Sequence, residues 1–159
     1  ISVIREDLIR DDVLKGTPTM LKWKTQSDNG SLFNTPNCWA IYICSLVFKW
    51  LKDNGGLKEM EKKNIEKASV LYDFLDKSRL FKGTVRKEDR SFMNVPFITG
   101  SDELDDKFVK EAASAGLSSL KGHRSVGGMR ASIYNAMPKE GVYKLVEFME
   151  DFEKKNLHS

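Results

Sequence analysis

Cysteine is scarce in this chain. Cys38 and Cys44 are its only two, six positions apart inside an apolar stretch, a spacing that matches neither a metal-binding cluster nor a disulfide framework and fits a reducing, cytoplasmic setting. Histidine is limited to His123 and His158; His158, in the tail, is read as inert, and no metal site is expected. Long hydrophobic runs are missing as well. The most apolar stretch, residues 38–48, is too short to span a bilayer, lies mid-chain, and lacks the basic flank and cleavage site of an export signal. Nor is there an excess of either charge: 26 Lys and Arg stand against 23 Asp and Glu, for a formal net charge of +3. The lysines of runs such as Lys58 to Lys67 alternate with acids, the pattern of a solvated helix face. A nucleic-acid module would need a basic stripe beside stacking aromatics, and none is visible. Internal repeats and low-complexity segments are absent too.

What is present describes a globular chain. A hydrophobic share of 40% and a charged share of 31% over 159 residues suit one domain, or one domain with the remnant of a neighbour. The first residues, Ile1 to Ile4, form a β-branched run that reads as the end of a buried strand, with no initiator methionine. The sequence is therefore read as lacking its beginning. Residues 11–33 show little periodicity and are expected to form a long loop, marked by Gly16, Pro18 and the polar run Thr25 to Ser31.

A helix is expected next, with Thr35 as its capping hydroxyl and Pro36 in its first turn. Trp39, Ile43, Leu46, Val47, Trp50 and Leu51 recur at steps of three and four, and Asn54-Gly55-Gly56 ends the run. Leu57, Met60, Ala68, Leu71, Phe74 and Leu75 predict a second helix. After Ser78 the pattern predicts strands at Leu80 to Val85 and Ser91 to Thr99, the second at a sheet edge because of Pro96. A helix capped by Ser101 and closed at Gly116 follows, then short strands at Leu117 to Leu120 and Met129 to Tyr134. Pro138 opens a last helix striped by Val142, Leu145, Val146, Met149 and Phe152. Strand, strand, helix, strand, strand, helix is the order of an α+β unit whose helices cover one face of an antiparallel-rich sheet. The predicted boundaries are residues 1–36 for a domain remnant and loop, 37–77 for linking helices, and 78–159 for a C-terminal domain.

The densest chemistry lies in Gly122-His123-Arg124-Ser125-Val126-Gly127-Gly128-Met129-Arg130. Glycine permits close approach of backbone, and arginine offers a planar fork for paired carboxylate or phosphate oxygens. An anionic ligand fits this composition; so does a tight surface link with solvated arginines, a loop histidine beside it, and an exposed Lys121. Asn34-Thr35-Pro36 likewise reads either as a plain helix start or as a phosphate site at a helix N-terminus.

The stretch Gly122 to Pro138, GHRSVGGMRASIYNAMP, resembles the C-terminal signature of the phosphoserine aminotransferases. So do Ser31-Leu32-Phe33-Asn34-Thr35-Pro36, Gly55-Gly56-Leu57, Met93-Asn94-Val95-Pro96-Phe97 and Leu120-Lys121-Gly122, in the family's order over essentially the whole chain. Asn37 departs from the pattern, since the family usually has a second proline after Pro36; the change is expected to loosen the helix entry. The resemblance implies an α/β parent fold of the fold-type I pyridoxal-phosphate enzymes, of which this chain would be mainly the α+β C-terminal small domain.

By the same resemblance, Arg130 would grip the α-carboxylate of the substrate, and His123 and Arg124 its phosphate ester. Asn34 and Thr35 would reach across a homodimer interface to the phosphate of pyridoxal 5'-phosphate. The implied reaction moves an amino group between glutamate and 3-phosphohydroxypyruvate, giving phosphoserine and 2-oxoglutarate, in serine biosynthesis. No catalytic residue is assigned, because the family's Schiff-base lysine lies before the strand that begins at Ile1; the chain alone is expected to be inactive. A related aminotransferase acting on another keto acid would share the fold, and His123-Arg124 argues instead for a phosphorylated substrate.

Overall fold

A computed structural model of the chain describes residues 1–157, so His158 lies outside the described residues. The chain divides into two compact units, Ile1–Trp50 and Leu51–Ser159.

The first unit is largely irregular. Single 3-10 turns at Glu6–Leu8 and Thr19–Leu21 precede a short helix α1 (Trp23–Asp28) and the longer α2 (Cys38–Asp53). The strand expected at Ile1 to Ile4 does not form; Ile1 and Val3 are fully exposed, and no strand among the described residues pairs with them. A β-branched run becomes a strand only when neighbours take up its backbone groups. The start of α2 also departs from expectation. Asn37, not Thr35, caps it: the Asn37 side-chain oxygen accepts the Ala40 amide at 3.0 Å and its carbonyl accepts that of Ile41 at 3.1 Å. The residue that breaks the family pattern thus secures the helix entry instead of loosening it.

In the second unit, α3 (Gly56–Leu75) follows Gly55, whose φ of 95° only glycine adopts without strain. The sheet has three antiparallel strands in the order β1 (Lys82–Gly83), β2 (Asn94–Ile98), β3 (Met129–Ser132), with helix α4 (Asp102–Ser114) between β2 and β3 and α5 (Lys139–Leu157) last. Ser101 caps α4 through the Leu104 amide. Gly116, with φ of 84°, closes it in a Schellman motif: its amide bonds to Ala113 O and that of Leu117 to Ala112 O.

Two strand expectations need correction. β2 is central, not an edge, although it contains Pro96. The carbonyl of Pro96 points towards Thr84, accepting its amide at 3.4 Å, so the absent N–H faces that side too. The proline therefore removes one ladder bond towards β1, and β1 is only two residues long. Leu117 to Leu120 does not form a strand either; pairing there reduces to a single bridge, Lys121 to Met129. Ser119 has a φ of 63°, incompatible with an extended run.

Val95, Phe97, Met129 and Ala131 turn one sheet face to the core, where α3 adds Leu71, α4 Phe108 and α5 Met149 and Phe152. Phe108 is the hub of an aromatic cluster, meeting Phe81 at 5.1 Å and Phe152 at 5.2 Å between ring centroids, both edge-on. The helices therefore cover one face of the sheet. Arg130 and Ser132 of β3, opposite Pro96 and Asn94 of β2, occupy the other.

Beyond α3, Asp76 accepts from Arg90 and pairs with Lys87 at 3.0 Å, and these cations hold its carboxyl well below the usual range. A depressed carboxylate contributes stability above its unfolded value, near pH 4, and loses it as pH falls through the folded one. Asp76→Asn is expected to flatten the loss of stability below about pH 4 while costing less than about 1 kcal/mol at pH 7, since the group is partly solvated. Urea titrations at several pH values check this.

Candidate anion-binding hairpin

The sequence between α4 and β3 closes into a hairpin. The Arg130 amide donates to Leu120 O and that of Gly122 to Gly128 O, each at 2.8 Å, on either side of the Lys121–Met129 bridge. At the tip, the carbonyl of His123 accepts the amides of both Val126 and Gly127 at 2.9 Å. The glycines make this approach possible. A Cβ on Gly122 would lie 2.1 Å from the Gly127 carbonyl oxygen and 2.7 Å from that of Gly128, contacts no side chain tolerates. Gly127 and Gly128 have φ of 76° and 62°, which turns the chain back into β3.

Three of the five expected site residues lie on this hairpin. His123 and Arg124 stand exposed in the tip, and Arg130 lies at the base on the sheet face away from the core. Among the described residues, neither Arg124 nor Arg130 has a side-chain hydrogen bond or ion pair. For Arg130 this matters, because its Nε is buried and has no partner. The Nε of Arg90 is likewise buried and unmet, but its Nη1 and Nη2 donate to Asp76; Arg130 has no such partner among the described residues, which leaves its fork for an acceptor. A planar fork presented this way suits a carboxylate.

Asn34 and Thr35 belong to the first unit and are exposed, four and three residues ahead of α2. The Asn34 amide donates to the Met20 sulfur at 3.2 Å. A cavity of about 610 Å³ beside Phe74, Lys77, Val146 and Glu153 contains none of the hairpin residues. Among the described residues no cluster of His, Cys, Asp and Glu could hold a metal ion.

Two residues escaped the sequence reading. Lys67, assigned to a solvated face, is only 3% exposed. Its ammonium donates to the carbonyls of Ile133 at 3.2 Å, Tyr134 at 2.7 Å and Met137 at 3.1 Å, tying α3 to the chain leaving β3. Burial pushes its pKa below the ordinary lysine value. The signal was available: Lys67 falls on the stripe of Met60, Asn64, Ala68 and Leu71, which is the buried side of α3. The other is Ser125, whose hydroxyl lies 2.7 Å from His123 Nδ1.

Residues 13–145 match the family model of the class-V aminotransferases. The chain is 54% identical over 154 residues to phosphoserine aminotransferase of Nitrosomonas europaea and 55% identical over 155 residues to that of Haemophilus influenzae. These alignments take in 97% and 98% of this chain and 42% of each relative. Among solved structures, a phosphoserine aminotransferase from Bacillus circulans subsp. alkalophilus superposes with a TM-score of 0.89 at 46% identity, covering 96% of this chain and 42% of that one. A phosphoserine aminotransferase from Trichomonas vaginalis, described as bound to pyridoxal phosphate, gives 0.86 at 38% identity, covering 92% and 42%. The chain therefore spans about 42% of the length of these relatives, and it belongs to the class-V aminotransferase family.

Proposed function

We propose that this chain is the substrate-binding C-terminal part of a phosphoserine aminotransferase. In this reading Arg130 pairs with the α-carboxylate of the amino or keto acid, and Arg124 and His123 take the phosphate ester of phosphoserine or 3-phosphohydroxypyruvate, with glutamate and 2-oxoglutarate as the other pair. The observation that carries it is the Arg130 guanidinium, without a partner among the described residues, at the foot of a hairpin whose tip carries two further donor side chains, Arg124 and His123. Two anionic groups on one small molecule would satisfy both ends.

Asn34 and Thr35 are the residues that would hold the phosphate of pyridoxal phosphate. Two uncharged donors on adjacent exposed residues suit the edge of a phosphate, and the bond Asn34 makes to the Met20 thioether is weak. When bound, that cofactor stabilises the carbanion through which the amino group is exchanged. The chain's own contribution is to bind and orient the substrate. A homodimer is part of the proposal on the strength of the family resemblance; α2 has no buried residue, and Trp39, Tyr42, Leu46 and Phe48 stand exposed on it, an apolar face for the rest of the parent chain or a second copy to cover. Two free cysteines support a reducing, cytoplasmic setting as part of this reading. No helix among the described residues is long and apolar enough to cross a membrane.

Isothermal titration of the 159-residue chain with O-phosphoserine tests the binding half of this reading. Heat that phosphoserine evokes and unmodified serine does not, with no turnover of glutamate and 3-phosphohydroxypyruvate by the chain alone, is the expected result. Equal responses to the two amino acids would contradict it.

A further inference from the structure

Ser125 has no assigned role, yet it makes two contacts with the same ring nitrogen. Its hydroxyl lies 2.7 Å from His123 Nδ1, and its backbone amide lies 3.3 Å from that atom. An amide N–H can only donate, so Nδ1 must present its lone pair to it. The hydroxyl hydrogen then has the same acceptor available. A neutral imidazole accepting at Nδ1 carries its proton on Nε2. Among the described residues Nε2 has no partner, and the ring is exposed in the hairpin tip beside Arg124.

We propose that Ser125 is a positioning residue that fixes the orientation and the Nε2–H tautomer of His123, so that this N–H is offered outward to a phosphate oxygen. The proposal deepens the reading of the hairpin as a phosphate-ester site and rests on it for the identity of the ligand. Its physical content is separate. An imidazole without a partner rotates and samples both tautomers, and only one of them presents a donor from Nε2. The Ser125 hydroxyl removes part of that freedom before the ligand arrives, an effect of the kind by which a residue behind a binding group raises affinity without touching the ligand. Losing one neutral hydrogen bond of about 1 kcal/mol corresponds to about a fivefold change in affinity.

The test uses the 159-residue chain with His158→Gln, which leaves His123 as the single histidine. Long-range proton–nitrogen NMR at about pH 8.5, some two units above an ordinary histidine pKa, should find a pyridine-like Nδ1 and a pyrrole-like Nε2. Ser125→Ala should move both nitrogens towards the averaged values of a free ring, and Ser125→Thr, which keeps the hydroxyl, should restore them. A protonated Nδ1 in the parent chain, or nitrogen shifts that ignore Ser125→Ala, overturns the proposal. Titrating O-phosphoserine into the same samples should shift the His123 signals and show about fivefold weaker binding for Ser125→Ala. Tautomer effects without any response to phosphoserine would refute the phosphate-ester reading of the site while leaving Ser125's hold on the ring established.

Discussion

Replacing Arg130 by alanine in the full-length aminotransferase proposed here is expected to lower kcat/KM for phosphoserine by roughly 10²- to 10⁴-fold. Two charge-assisted bonds are lost, at about 1.5–3 kcal/mol each, and about 1.4 kcal/mol corresponds to a tenfold change in rate. Arg130→Lys should recover only a small part, because an ammonium restores the charge without the planar fork. The structure gives a further reason to expect this. Arg130 enters from β3, its backbone held by the Leu120 carbonyl and its position fixed opposite Pro96, so the root of its side chain is placed before the ligand arrives. A shorter-reaching ammonium in the same frame would leave the buried donor position empty. Steady-state kinetics of both variants check the order Arg, Lys, Ala, and the loss should be shared by every amino or keto acid substrate, since all carry the α-carboxylate.

The second large effect concerns stability. Lys67→Met is expected to destabilise the second unit by about 3 kcal/mol. The replacement fills the same volume but leaves the carbonyls of Ile133, Tyr134 and Met137 without their shared donor, and a buried group that loses its partner costs about 1–3 kcal/mol before relaxation. Urea unfolding of the two chains measures the difference directly. The alkaline side carries its own signature. Burial lowers the pKa of Lys67 in the fold, so between the folded and unfolded values the unfolded chain binds more protons, and stability rises with pH through that window. The methionine variant should lack this rise.

The four longer helices were legible in the sequence because each carries its apolar residues at steps of three and four and is bounded by Gly55, Ser101, Gly116 or Pro138. Caps and strands were harder. Thr35 and Asn37 both offer a capping oxygen, and only the geometry of α2 chooses Asn37. Pro96 reads as an edge signal because sequence shows that a ladder bond is lost but not on which side; β1 is short enough to make the loss cheap. Lys67 was missed for a related reason. Charge alternation dominated the reading of residues 58–67, whereas the burial stripe of α3 puts this one lysine under the chain that follows β3.

The residues of the candidate site were legible, but not their arrangement. Nine consecutive positions announced glycines and cations. They did not reveal that Gly122 abuts the Gly127 carbonyl, that Arg130 shares the hairpin's base with Leu120, or that Ser125 turns back onto His123. Those facts depend on backbone closure, which the alternation of glycine and polar residues permits without specifying.

In the function proposed, one hairpin grips two separate anionic groups of one phosphorylated amino acid, with Arg130 on the carboxylate and Arg124 on the ester. The ratio of kcat/KM for O-phosphoserine to that for unmodified serine, measured in the full-length enzyme and its Arg124→Ala variant, tests this most directly. The ratio should fall by about tenfold or more, as expected for one charge-assisted bond, while the value for serine itself stays within about twofold of the parent. Equal losses for both substrates, or an unchanged ratio, would contradict the division of labour on which the proposed function rests.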